Sequence, residues 1–456
     1  MKARHRKGGR DAHRGYQARR RRAVRLVTIV RAALGVADSL GQWSGLLHRP
    51  LSAERLIEAA RRRAGREDFG EIPIAEPLAR LLESCRREAS LSLIGRLALK
   101  WDVLRFLTNL LDLAAAERRS PVIAQAPIAR PIFITGFPRS GTTFLHELML
   151  CDPENRAPRV FETIYPYPDP GGPDRRAARV ARQLRMFERL APEFRGLHRI
   201  SAESPQECTE ITAHAFRSLR FDTTYRIPSY RTWLESEPDG HLPAYRLHRR
   251  FLQHLQHQAG EAPPPRWVLK CPDHLFALDA LRAVYPDARL VIVHRDPARV
   301  LLSVSKLTEV LRGPFTRRLD RMEIGRGESA RWLEGARRMI AASEDPRWAG
   351  AISHVRYLDL IADPAAAVGT VYRQLGVPMP ETLAPAVARF AAAEPNGGYG
   401  LHRYRFEDHG LDAEAEREKF RPYLAHFDVA PEPAGAPRAT ASPASGLGSP
   451  ASAYRG

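Results

Sequence analysis

The stretch Ile132-Phe133-Ile134-Thr135-Gly136-Phe137-Pro138-Arg139-Ser140-Gly141-Thr142-Thr143-Phe144-Leu145-His146-Glu147-Leu148-Met149-Leu150 decides how the rest of the chain is read. Its first four residues are a short apolar, β-branched run preceded by Pro131, which predicts a buried strand. Its last seven repeat apolar residues at helical spacing. Strand, glycine loop and helix in that order aim successive backbone N–H groups, and the partial positive charge of the helix N-terminus, at one anionic group. Glycines can sit in such a turn for backbone reasons alone. This loop, however, also carries Arg139, Ser140, Thr142 and Thr143, all able to donate to phosphate or sulfate oxygens. The spacing is that of the GxxxxGK(S/T) nucleotide loop with one departure, because Thr142 stands where that motif requires lysine.

Outward from this loop, three more short apolar runs predict strands: Arg266 to Lys270, Arg289 to His294 and Ser353 to Tyr357. Helical patterns lie between them, and Arg266 to His294 reads as a compact βαβ unit with a helix from about His274 to Val284. Strands separated by helices imply a parallel sheet. The expected fold class is α/β, a P-loop-containing parallel sheet flanked by helices, with a helical N-terminal region.

Four segments are expected: a disordered basic arm (1–25), a helical region (26–120), the catalytic domain (121–428) and a disordered Pro/Ala/Ser tail of no catalytic weight (429–456). From Leu26 to Arg118 apolar residues recur every three or four positions and strand signals are nearly absent. Between Asp152 and Pro265 the helical pieces are interrupted, which suits loops and short helices roofing an acceptor pocket. The aromatics Tyr165, Tyr167, Phe216, Phe221, Tyr225 and Tyr230 are candidates to line it.

Composition narrows the classes further. The 456 residues, 44% hydrophobic, suffice for a large core. Four scattered cysteines suggest neither a zinc cage nor a disulfide framework. With no apolar run of membrane length and no secretory leader pattern, the expected compartment is the cytoplasm. The formal charge of +19 invites a nucleic-acid reading, but the first thirty residues hold eleven Lys and Arg against one Asp, more than half of the excess. That arm is able to make peripheral contact with anionic lipid, or to touch RNA without base-reading motifs.

PRSGTT after an apolar strand resembles the 5′-phosphosulfate loop of the sulfotransferases that use 3′-phosphoadenosine 5′-phosphosulfate (PAPS). A second element agrees. RLVIVH runs into Arg295-Asp296-Pro297 and, eight residues after Arg295, Ser303, which resembles the family's 3′-phosphate site. RWVLKCPDHL, HRDPARVLLSVSKL and GYGLHRYRFEDHGLD are further stretches similar to a bacterial branch of the family. Independently of any family, an arginine at a strand's carboxyl end and a serine on the next helix can converge on one phosphate.

The resemblance implies transfer of a sulfuryl group from PAPS to a hydroxyl or amine, with no metal. Arg139, Ser140, Gly141, Thr142 and Thr143 would hold the 5′ end of the donor, and Arg295 and Ser303 its 3′-phosphate. Lys270, one of only six lysines against 65 arginines, is similar to the lysine that faces the transferring group, with Arg139 beside it. Glu162 stands near the spacing of the catalytic glutamate in tyrosine sulfotransferases, with Glu210, His214 and His146 as rivals for the base. The expected acceptor is a small molecule, a glycan or a lipid, with no specific nucleic acid. Two other readings stay open: a P-loop kinase using Asp296 as a magnesium ligand, and a non-catalytic nucleotide- or nucleic-acid-binding protein.

Overall fold

The computed structural model describes residues 50–169, 171–190, 200–237, 239–260, 266–393 and 405–432. The basic arm, the first part of the helical region, Gly400, His402 and Tyr404, and most of the C-terminal tail lie outside them. The described residues begin with helices α1 (Ala53–Ala64), α2 (Ala75–Glu88) and α3 (Leu93–Arg119). Ser52 and Ser92 start the first and third by accepting from the N–H groups of Arg55 and Gly95, at 3.2 and 3.0 Å. Strand β1 (Ile132–Gly136) follows, then α4 (Thr142–Met149), the two-residue strand β2 (Asn155–Arg156), α5 (Val160–Ile164) and α6 (Arg176–Leu190). Later come α7 (Leu242–Ala259), β3 (Arg266–Lys270), β4 (Arg289–His294), α8 (Pro297–Arg312), α9 (Arg321–Glu344) and β5 (Ile352–Arg356).

The five strands form one parallel sheet in the order β2-β3-β1-β4-β5. Strand β1 is central and buried along its whole length, which explains why it is an unbroken apolar run. Its register pairs Ile134 with Lys270 of β3 on one side and Gly136 with Val293 of β4 on the other. Strand β3 therefore ends two residues short of β1, and β4 runs one residue beyond it. Gly136 is required there, since a Cβ would stand 2.3 Å from the carbonyl oxygen of Val293.

The two faces of the sheet feed different cores. Ile132, Ile134, Val268, Val291 and Val293 pack against α4 and the Pro364–Gln374 helix. Phe133, Leu269, Leu290 and Ile292 share one apolar cluster with Leu56, Leu78, Phe106 and Phe251, so the N-terminal helices and α7 are built into the body. The Asp152 to Pro265 region thus departs from the expected loops and short helices. It contains the 15-residue α6 and the 18-residue α7, and α7 is a core helix with Phe251 fully buried. The strand predicted at Ser353 to Tyr357 is Ile352–Arg356, one residue earlier, because Tyr357 already opens the next helix.

Candidate active site

The loop after β1 turns through Arg139 and Gly141, both at positive φ (64° and 96°). Gly141 fits because the ring of Tyr357 lies 3.0 Å from where its Cβ would be. No side chain caps α4, so its first N–H groups have neither an intrahelical nor a side-chain partner. Pro138, Arg139, Gly141, Thr142 and Thr143 line a cavity of about 800 Å³. Ser140 is turned the other way: its buried hydroxyl donates to the carbonyl of Phe137 at 2.6 Å and braces the loop.

Arg139, Arg295 and Ser303 are brought together across more than 150 residues of chain. Arg139 Nε donates to Ser303 Oγ at 3.1 Å, and Arg295 Nη1 donates to the carbonyl oxygen of Arg139 at 2.6 Å. The remaining edge of the Arg295 guanidinium grips Glu432 in a fork, Nε to Oε1 at 2.7 Å and Nη2 to Oε2 at 2.8 Å. The Glu432 N–H donates to Asp296 at 2.9 Å. The first residues of the expected inert tail thus reach the site, and a carboxylate holds the arginine assigned to a phosphate.

Asp296 does not present a magnesium ligand. Its Oδ1 caps α8 through Ala298 N–H at 3.0 Å, and its Oδ2 accepts from Arg417 and from Glu432 N–H. A carboxylate spent on a helix cap and an arginine leaves the kinase reading without its metal ligand.

Lys270, at the end of β3, is 2% exposed, and its Nζ donates to Oε1 of Glu207. Glu207 lines the cavity, as do Pro272 and Asp273 just beyond Lys270. Burial pushes the Asp273 carboxyl up to about 6, against the pull of Arg331, whose Nη2 donates to it at 2.6 Å. Glu207 lies inside the segment SPQECTEITAHAF, where sequence reasoning favoured Glu210 and His214 instead. Nothing in the local pattern separates Glu207 from its neighbours; only the pairing with Lys270 does.

The other base candidates are held elsewhere. Glu162 is not among the lining residues: Oε2 accepts from Arg159 N–H at 2.8 Å, closing the first turn of α5, and Oε1 accepts from Arg156 at 3.2 Å. The glutamate suits the start of a helix, and both of its carboxylate oxygens are engaged there. Glu210 does line the cavity, but against the burial that would raise it Arg220 and Arg105 hold it low, with Arg105 Nη2 at 2.6 Å. His214 is fully buried, bonded to Asn109 and to the Glu210 carbonyl, and burial pushes it down to about 4. His146 donates to the Val268 carbonyl at 2.9 Å within the core. Of the six candidate aromatics only Tyr225 lines the cavity; Phe216, Phe221 and Tyr230 are core residues, and the Tyr167 hydroxyl bonds His254.

A lysine-free anion loop at the carboxyl edge of a parallel sheet, with an arginine at the neighbouring strand end, defines a P-loop-type group transferase. Comparison with known proteins narrows that class. The chain belongs to the Sulfotransferase family, whose sequence profile matches residues 131–381, and it is a sulfuryl-transferring enzyme. The omega-hydroxy-beta-dihydromenaquinone-9 sulfotransferases Stf3 of Mycobacterium bovis and Mycobacterium tuberculosis are 26% identical to it over 295 residues, 59% of this chain and 69% of theirs. The crystal structure of sulfotransferase STF1 from M. tuberculosis H37Rv is similar at a TM-score of 0.70 and 30% identity, covering 82% of this chain and 99% of that one. Sulfotransferase STF9 from Mycobacterium avium gives 0.73 and 26%, with 83% and 97% covered.

Proposed function

We propose that this sulfotransferase draws its sulfuryl group from PAPS and delivers it, without a metal, to a hydroxyl on an apolar acceptor, with Glu207 as general base. The observation that carries the reading is the contact of the buried Lys270 with Glu207, which lines the same cavity as the 136–143 loop. Arg139, Gly141, Thr142 and Thr143 would receive the 5′ phosphosulfate on N–H, hydroxyl and guanidinium donors. Ser140 supports the loop from behind. Arg295 and Ser303 would take the 3′-phosphate, which must displace the carboxylate of Glu432 from the Arg295 fork.

The chemistry then needs one proton acceptor and one cation. Glu207 takes the proton of the acceptor hydroxyl as its oxygen forms a bond to sulfur. The bond from sulfur to the donor's bridging oxygen breaks, its electron pair stays on that oxygen, and the Lys270 ammonium offsets the charge. Both roles require Glu207 ionised and Lys270 protonated before turnover.

The apolar acceptor is supported by the rest of the cavity wall, built from Leu97, Trp101, Val180, Leu184, Phe187 and Leu311. The similar Stf3 proteins act on omega-hydroxy-beta-dihydromenaquinone-9. Among the described residues no helix is long and apolar enough to cross a membrane. The four cysteines are free, which suits the reducing cytoplasm. Calorimetry in EDTA with 3′,5′-diphosphoadenosine, ADP and ATP tests the donor. Preference for the 3′-phosphorylated nucleotide is expected; binding of ATP only after magnesium is restored would overturn the assignment.

A further inference from the structure

We infer that the mouth of this cavity is a docking face for an anionic lipid bilayer. Of the eight large apolar side chains that are exposed among the described residues, four line this one cavity: Leu97, Trp101, Met186 and Ile361. Leu97 is 58% exposed, Trp101 42% and Met186 61%, so each faces solvent at the rim while bordering the interior. Apolar side chains gathered around an opening, rather than scattered singly over the surface, mark an interaction surface.

Charge decides what that surface meets. Helix α6 has the sequence RAARVARQLRMFERL, with five arginines and one glutamate. Val180, Leu184 and Phe187 turn inward to the cavity. Arg182, Arg185 and Arg189 are exposed and stand within one turn of Met186. On α3, exposed Lys100 lies beside Trp101 and three residues from Leu97, on the same face. The two helices meet through Phe315: its ring stacks on Phe187 at 6.1 Å, and its carbonyl accepts from Ser92 N–H at 2.9 Å. Cations set beside Leu97 and Trp101 on α3 and beside Met186 on the amphipathic α6 match a headgroup layer above acyl chains. An acceptor embedded in the bilayer would then enter the cavity without crossing water. This last step rests on the apolar-acceptor reading; the docking face itself does not.

The test uses the full chain and vesicles of equal parts phosphatidylcholine and phosphatidylglycerol. Reversing Arg182, Arg185 and Arg189 to Glu, none of which lines the cavity, should weaken co-sedimentation by roughly a hundredfold. Calorimetric affinity for 3′,5′-diphosphoadenosine certifies that this variant is folded. With brominated acyl chains, the fluorescence quenching of the wild type should fall in Trp101→Phe. Unchanged co-sedimentation of the reversed variant, or equal quenching of wild type and Trp101→Phe, would overturn the docking face and leave the basic arm as the source of any vesicle binding. Vesicle binding that behaves as expected while long-chain alcohols are never sulfated would instead sink the acceptor reading.

Discussion

Glu207 and Lys270 meet across 63 residues of sequence, and their contact sets the proposed base, on the cavity wall, against a buried ammonium. Glu207→Gln keeps the size of the side chain and removes the proton acceptor. Turnover should fall by about 10²–10⁴-fold, while calorimetric affinity for 3′,5′-diphosphoadenosine stays within about twofold of wild type. Equal turnover would remove Glu207 from the chemistry. Glu432→Ala, in contrast, should tighten nucleotide binding, because Arg295 no longer needs to release a forked carboxylate before taking a phosphate. If the affinity is unchanged, the 3′-phosphate does not use that fork. Asp273 gives a pH signature. Its ordinary value of 3.8 is raised to about 6 in the fold, so the stability it contributes is full below about 3.8 and lost as pH rises through about 6. The urea midpoint of the wild type relative to that of Asp273→Asn should therefore fall from about pH 4 to about pH 7.

Among the elements, the central strands and the loop they serve were legible because a strand buried on both faces in a parallel sheet must be continuously apolar. RWVLK and RLVIVH have the bounds expected of them. The edge strand slipped by one residue because half of it faces solvent and its pattern is weak. The two residues of β2 carry no period at all. Site residues followed the same division. Arg139, Arg295 and Ser303 sit at strand ends and on an adjacent helix, so the order of elements alone brings them together. Glu207 lies on a connection whose path is set by tertiary packing, and its sequence neighbours Glu210 and His214 are equally plausible bases until that path is known. The loop also depends on the close approach of β1 and β4. Gly136→Ala would force a Cβ to 2.3 Å from a backbone oxygen. It should cost on the order of 3 kcal/mol, read as a lower urea midpoint, together with loss of nucleotide binding. A midpoint equal to that of wild type would show that the two strands can separate at little cost.

At the scale of the whole molecule, the cavity is assembled from parts far apart in sequence. The glycine loop comes from the sheet, Glu207 from a connection before α7, and the apolar walls from α3, α6 and α8. The sheet holds one end rigid, since β1, β3 and β4 are paired along their length and buried on both faces. The apolar end is made by helices whose exposed flanks are Leu97, Trp101 and Met186. On the proposed reading this arrangement separates reaction from recognition: the hydroxyl meets Glu207, and the remainder of the acceptor supplies binding energy by leaving water. A series of primary alcohols of increasing length tests that division. Each methylene drawn into the cavity is worth about 0.8 kcal/mol, so kcat/KM should rise by up to about fourfold per carbon and level off once the cavity is filled. Because the reacting end is the same in every alcohol, the gain should appear in kcat/KM and leave the effect of Glu207→Gln unchanged along the series. A flat series would show that the walls of α3 and α6 are not where the acceptor lies.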